Sequence, residues 1–433
     1  MAAYAELEIG LERREPGVYA VALRFEDPES EAVHRATAGT VSFDFDRLSA
    51  LSLDPQAYGA LLGASLFEDP TVKGTFAKAL GLVEGREMGL RLRLFVDLGA
   101  PELHSLRWES LRQPHDGAPL ATNENILFSR YLSSTDWRPV RLRAQRDLRA
   151  LVVIANPANL RNYGLAPLDV GAELARARAG LGTMAHSALA SGGSATLDNL
   201  VAAARDGIDV LYLVCHGTLQ AGEAWLWLED EQGALARVAG SEVATRLTEL
   251  PDQPRLVVLA SCHSAGSGAE ARPGDEGALA AAGPRLAETG IPAVVAMQGS
   301  VTIETVAAFM PIFFKELQRD GRIDRAMAVA RGVVRERADW WMPVLFSRLK
   351  KVRIWYVPGF AGKEPFKQWK ALTNNLRQGR CTPILGPGLL EPLFGSRREI
   401  ARRLAEVHEF PLAPHSQVDL PQVAQFLAVN QDP

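Results

Sequence analysis

Hydrophobic and polar residues alternate along Tyr4-Ala-Glu-Leu-Glu-Ile-Gly10 and Val18-Tyr-Ala-Val-Ala-Leu-Arg-Phe25, the period-2 pattern of strands with one buried face. Arg14-Glu-Pro-Gly17 supplies a turn between them, so the two are expected to pair. Residues 55–66 and 71–82 predict helices, and 90–98 alternate again as a strand. This mixed α/β section holds no reactive constellation. From residue 147 the pattern becomes strand alternating with helix, which predicts a parallel sheet covered on both faces. Residues 196–207 form one expected helix, with Thr196 as N-cap and Gly207 as C-cap; residues 305–318 and 323–337 predict two more amphipathic helices. Residues 225–237 read as a hairpin turning at 231–233, with Trp225 and Trp227 together on its core face.

Two apolar runs end in reactive side chains: Leu211-Tyr-Leu-Val-Cys-His-Gly217 and Leu256-Val-Val-Leu-Ala-Ser-Cys-His263. Each reads as a buried parallel strand, and ligands in open α/β sheets bind beyond the carboxyl ends of such strands. His216 and Cys262 are therefore expected on one rim. A thiolate attacks a peptide carbonyl, and a histidine supplies the base and then the acid for the leaving amine. Gly217, without a side chain, lets a backbone N–H approach the substrate oxygen, and with the N–H of Cys262 it would form an oxyanion hole.

Each segment alone has an ordinary reading: a small core cysteine, or a histidine in a turn. A metal site is the sharper rival, with Cys215-His216 and Cys262-His263 as two ligand pairs. Successive residues of an extended chain point to opposite faces, and zinc ligands are spaced by about two to four residues for that reason. The expectation is accordingly a His216–Cys262 dyad and no metal or cofactor.

The segment from about Asp147 to Val357 resembles a CHAT domain, a caspase-like family related to separases and gingipains. Residues 151–157 resemble its first strand and 167–174 the following helix entry; Val214-Cys-His-Gly217 and Leu259-Ala-Ser-Cys-His-Ser264 resemble its histidine and cysteine motifs. Residues 290–298 resemble the next strand and 341–348 the closing segment. Upstream, Leu106-Arg-Trp-Glu-Ser-Leu111 and Asn125-Ile-Leu-Phe-Ser-Arg130 resemble the segment that precedes the catalytic part, where Trp108 reads as a core anchor. The resemblance implies a caspase-like, mainly parallel α/β sheet flanked by helices, preceded by a mixed α/β non-catalytic caspase-shaped subdomain. It also implies a cysteine endopeptidase acting on a protein substrate, controlled by a sensor, partner or further domain, with a link in bacteria to antiviral defence or regulated cell death. The competing class is a caspase-shaped scaffold that acts by recruitment.

The expected organisation is a non-catalytic subdomain over 1–146, a catalytic domain over 147–357, a linker over 358–380 and a C-terminal segment over 381–433. In the last, the glycine-rich residues 379–395 before a helix at 397–407 resemble the opening of a sirtuin-like domain, but Pro387 stands where that family has alanine. About fifty residues cannot complete a nucleotide-binding sheet, so NAD turnover is not expected. The glycine-rich stretch 264–277 reads as a loop beside the cleft; Asp275 and Glu276 there, and Asp169 and Glu173 after the first strand, are candidates for binding a basic side chain of the substrate.

Composition adds exclusions. The 433 residues suggest two to three domains, 47% hydrophobic and 23% charged residues are ordinary for a globular chain, and a net charge of −4 offers no field for nucleic acid. The arginines of 138–149 read as a solvated connector. Three cysteines exclude a disulfide framework, the N-terminus lacks a signal-peptide pattern and no run is long enough to span a membrane, which together point to the cytoplasm.

Overall fold

A computed structural model describes residues 4–28, 33–132, 140, 142–220, 222–266, 279, 281–356, 369–379, 386, 391–411 and 416–430. The first part contributes β1 (Tyr4–Glu15), β2 (Val18–Glu26), β3 (Val33–Ser42), β4 (Gly89–Val96) and β5 (Ile126–Tyr131). After the short β6 (Arg143–Ala144) come β7 (Arg149–Ile154), β8 (Ala185–Ala190), β9 (Val210–Val214), β10 (His216–Gln220), β11 (Glu223–Glu229) and β12 (Leu235–Ala239). The rest are β13 (Leu256–Ala260), β14 (Ala293–Met297), β15 (Pro343–Ser347) and β16 (Trp355–Tyr356).

One 11-stranded sheet runs in the order β3-β2-β1-β4-β5-β15-β14-β13-β9-β7-β8, crossing the expected subdomain boundary without a break. Its β1–β2, β2–β3 and β14–β15 pairings are antiparallel and its others parallel. This is the mixed α/β, mainly parallel sheet flanked by helices that the sequence pattern predicts.

The apolar strands bury both faces, as a doubly covered parallel sheet requires. Tyr212, Val214, Val258 and Ala260 pack with Phe309, Phe313 and Phe314 of helix Ile303–Asp320. Leu211, Leu213, Cys215, Val257 and Leu259 pack on the opposite face, with Leu200 of helix Leu197–Arg205 and Leu247 of helix Gly240–Thr248. Helices Pro55–Leu66 and Pro70–Gly85 form where expected, started by the carboxylates of Asp54 and Asp69 with proline at the first turn. Thr196 caps its helix as predicted, whereas the helix ends at Arg205 before Gly207 turns left-handed at φ 77°.

Three expectations change. The hairpin β11–β12 forms, but Ala224, Leu226 and Leu228 face the core, while Trp225 and Trp227 are half-buried on the other face under Arg237 and Tyr163. Alternation fixes the period of a strand and leaves open which face is buried, and amphipathic tryptophan suits the wetter side. The helix from Ile323 ends at Val333 rather than 337, the chain continuing in turns to the buried Trp340 and Trp341. The arginines 143–149 are not simply solvated: Arg143 pairs with Asp252 at 2.8 Å, Arg146 with Glu391, and the Arg149 N–H bonds Asp209 Oδ2 at 2.9 Å.

Within the expected linker, residues 369–377 are helical. Among the described residues of 381–433 are helices Glu391–Phe394, Arg397–Val407 and Leu420–Asn430; the last two gather around Ala401, Ala405, Phe410 and Val423, and a Ser396–Glu399 capping box starts the second. Most of the glycine-rich stretch 379–395, and Cys381 with it, lies outside the described residues. No described helix is long and apolar enough to cross a membrane.

Candidate functional site

β9 and β13 are neighbours in parallel register, with Val214 opposite Ala260. His216 and Cys262 each follow the end of that ladder by two residues, on the same sequence alternation as Val214 and Ala260. Cys215 has the opposite parity and lies in the core of the other face, where burial pushes its thiol up to about 12. A thiol so placed is inert at neutral pH.

His216 does not sit in a turn. It opens β10, paired with Trp227 of β11, so the chain leaves the large sheet at Cys215 and enters a three-stranded sheet β10-β11-β12 at the histidine. Gly217 follows in contact with the Cys262 turn: a Cβ there would stand 2.8 Å from the Cys262 carbonyl oxygen and closer still to Ser261 Oγ. Glycine is thus required by backbone-to-backbone approach of the two rim segments.

The imidazole of His216 donates from Nε2 to the carbonyl of Ala166 at 2.8 Å. A carbonyl only accepts, so in the neutral ring this bond leaves the Nδ1 lone pair as the basic site. Ala166 lies in the connection after β7, which Asn156 and the buried Glu229 hold in place: Asn156 Oδ1 accepts from Leu168 N at 2.8 Å, and Glu229 accepts from Asn156 N at 3.0 Å and Gly193 N at 2.8 Å.

Cys262 sits in a tight turn after β13. His263 adopts φ 57°, the left-handed region that side-chain-bearing residues seldom take, and its N–H bonds Gly299 O at 2.9 Å. Ala265 N–H bonds Met297 O at 2.8 Å, and Ser264 Oγ accepts from Met297 N at 2.8 Å. The turn is thereby laced to the end of β14 and the residues after it. The Cys262 thiol donates to Val301 O at 3.7 Å, and burial raises its pKa above the ordinary thiol value. His263 accepts or donates at Nε2 with Ser300 Oγ at 3.0 Å, and burial lowers its pKa.

The specificity candidates are not brought together. Asp169 caps helix Val170–Leu181, accepting from Ala172 N at 2.9 Å, while Glu173 is buried in an ion pair with Arg176 on the same helix. Asp275 and Glu276 lie outside the described residues. Among the described residues, no group of three or more His, Cys, Asp or Glu side chains could hold a metal ion. Sequence reasoning missed Ala166 and Val301, whose contributions are backbone carbonyls that no residue type announces, and Glu229, whose place in a hairpin gives no hint that it ties two loops.

Against known families, residues 56–356 match the CHAT domain model. The chain belongs to the CHAT domain family. Among solved structures it is similar to gingipain R, an Arg-specific cysteine proteinase, at 12% identity and a TM-score of 0.42, with 64% of this chain and 66% of that chain covered. The pro- and mature-domain complex of the Porphyromonas gingivalis enzyme gives 14% identity, 65% and 69% coverage and a TM-score of 0.42. A Saccharomyces cerevisiae separase–securin complex gives 12% identity over 74% of this chain and 20% of that one, with a TM-score of 0.36. The chain thus spans about two thirds of the gingipain chain and a fifth of the separase chain. Curated protein sequences give no match. The CHAT match ends at residue 356, so the sirtuin-like reading of 381–433 remains an expectation from sequence alone.

Proposed function

We propose that this CHAT-family chain is a cysteine endopeptidase in which Cys262 is the nucleophile and His216 the general base and acid. The observation that carries the reading is the register of β9 and β13 together with the close approach of Gly217 to the Cys262 turn, which supports one reaction centre built from two strand ends. In the first half-reaction the Cys262 S–H gives its proton to His216 and the sulfur bonds the scissile carbonyl carbon. The N–H groups of Gly217 and Cys262 are the donors for the resulting oxyanion. Collapse breaks the C–N bond, the imidazolium protonates the leaving amine, and water then hydrolyses the thioester with His216 again as base. The Ala166 carbonyl fixes which ring nitrogen does this work.

A second reading has an observation in its favour. The Cys262 thiol is hydrogen-bonded to Val301 and its pKa is raised, which suits a resting form that waits for a partner, or a scaffold that never needs a thiolate. On the peptidase reading the substrate is a protein, a sensor region or partner supplies the trigger, and a role in bacterial defence follows only from the family resemblance.

Cleavage of a peptide library, with and without candidate activators, separates the two. Cys262→Ala and His216→Ala, and the double variant, are expected to lose cleavage completely and equally, since the pair acts as a unit. Their melting curves should remain close to wild type, the Cys262 change costing about 1–2 kcal/mol at most. Cys215→Ala is expected to retain cleavage. A Cys262→Ala protein that cuts at the wild-type rate overturns the assignment.

A further inference from the structure

Cys262 rests against a short segment, residues 298–302, that is pinned at both ends by buried polar side chains. At one end Thr302 donates to Asp339 through its N–H and its hydroxyl, each at 2.8 Å. At the other, Gln298 is fully buried and reaches into the first part of the molecule. Its Oε1 accepts from Arg130 Nη2 at 2.7 Å, and its Nε2 donates to Ser105 O at 2.9 Å. Arg130 is itself buried, paired with Glu109 through Nε at 3.1 Å and through Nη2, and its Nη1 donates to His104 O at 3.2 Å.

Between those pins the hydrogen bonds of 299–301 go to the nucleophile's turn, while the Val301 side chain packs on the core. Gly299 O accepts from His263 N, Gly299 N donates to Gly266 O at 2.8 Å, Ser300 Oγ meets His263 Nε2, and Val301 O takes the Cys262 S–H. A buried charged pair is costly unless every lone pair and proton is used, and a guanidinium fork fixes geometry in a way a point charge does not. The fork ends on Gln298, the residue that begins the segment behind the thiol.

We propose that Arg130 and Gln298 are positioning residues for Cys262: the first half of the sheet holds the 298–302 segment in place and thereby sets how buried and how acidic the thiol is. This rests on Cys262 being the nucleophile, but its test needs no turnover, so the two can fail separately.

The experiment is the pH profile of iodoacetamide alkylation of the intact protein, read site by site by mass spectrometry, with the core thiol Cys215 as an internal reporter of folding. Gln298→Met keeps the volume and removes the amide; Arg130→Lys keeps the charge and removes the fork. Both are expected to alkylate Cys262 about threefold faster or more at neutral pH, with the midpoint of its profile moved to lower pH, because a loosened segment readmits water to the thiol. Cys215 should stay protected. An unchanged Cys262 profile with Cys215 protected overturns the proposal. Simultaneous labelling of both cysteines in both variants also overturns it, since the network would then serve folding alone.

Discussion

The two halves of the sheet share one ladder and handle polar groups in opposite ways. In the first half buried arginines stand inside the strands and are answered by carboxylates: Arg91 of β4 by Asp324 at 2.7 Å, Arg93 by Glu6 at 2.7 Å, and Arg130 of β5 by Glu109. In the second half β9, β13 and β14 carry no charged residue, and His216, Cys262 and Gln298 stand beyond their ends. A charge inside a ladder must be satisfied permanently, because leaving its partner buried and alone is expensive. A half-buried polar group past the last ladder bond, such as His216 or Cys262, can exchange one partner for another at small cost. The first half is therefore suited to hold and the second carries the proposed chemistry at its rim, and they meet where Arg130 bonds Gln298.

The largest test of this contrast removes an answer from the holding half. Glu109→Ala leaves Arg130 and the fully buried Arg331 beside an empty site, although Arg331 keeps Pro343 O at 2.7 Å. A loss of about 3–5 kcal/mol is expected by chemical denaturation, against about 1–2 kcal/mol for Cys262→Ala. Equal losses would mean that the charges of the first half are no more committed than the rim of the second.

A smaller effect should appear in acid. His104 is buried in the segment that Arg130 holds, its Nε2 has no partner, and burial together with the Arg130 charge lowers its pKa to about 3. The folded state keeps it neutral while the unfolded chain takes up a proton near the ordinary value of about 6.5. Stability from this group is complete above that value and falls as the pH drops toward 3, by about 2 kcal/mol at pH 5. His104→Gln should flatten the acid limb by one proton in denaturant titrations at several pH values. A wild-type limb without that slope would show that the holding half admits a charge without an answering group.

The sequence makes the second half easier to read than the first. Runs such as Leu256–Ala260 announce buried parallel strands, and a parallel sheet displays its strand ends on one rim. The order of motifs carries the family. Which face of β11 is buried is not legible, since a period says nothing about side. Nor are the buried pairs: Arg130 and Glu109 sit in motifs noted only for Trp108, and pairs separated by long stretches of chain show no local pattern. The carbonyls of Ala166 and Val301 leave no signature, because every residue has one.

The smallest prediction concerns how far the reactive rim extends. Asp169 lies beyond β7, on the same edge as His216, and its charge suits a basic substrate residue. In the structure its carboxylate faces its own helix, accepting from Ala172 N, and a carboxylate at an N-terminus is stabilised both by that bond and by the helix dipole. Asp169→Ala should therefore cost about 1 kcal/mol of stability and leave the preferred residue before the scissile bond unchanged in a peptide-library screen. The control is Asp169→Asn, which keeps the cap without the charge and should recover most of the stability. A change of cleavage-site preference shared by both variants would show that the charge serves substrate after all, and would extend the reactive rim from β13 and β9 across to β7.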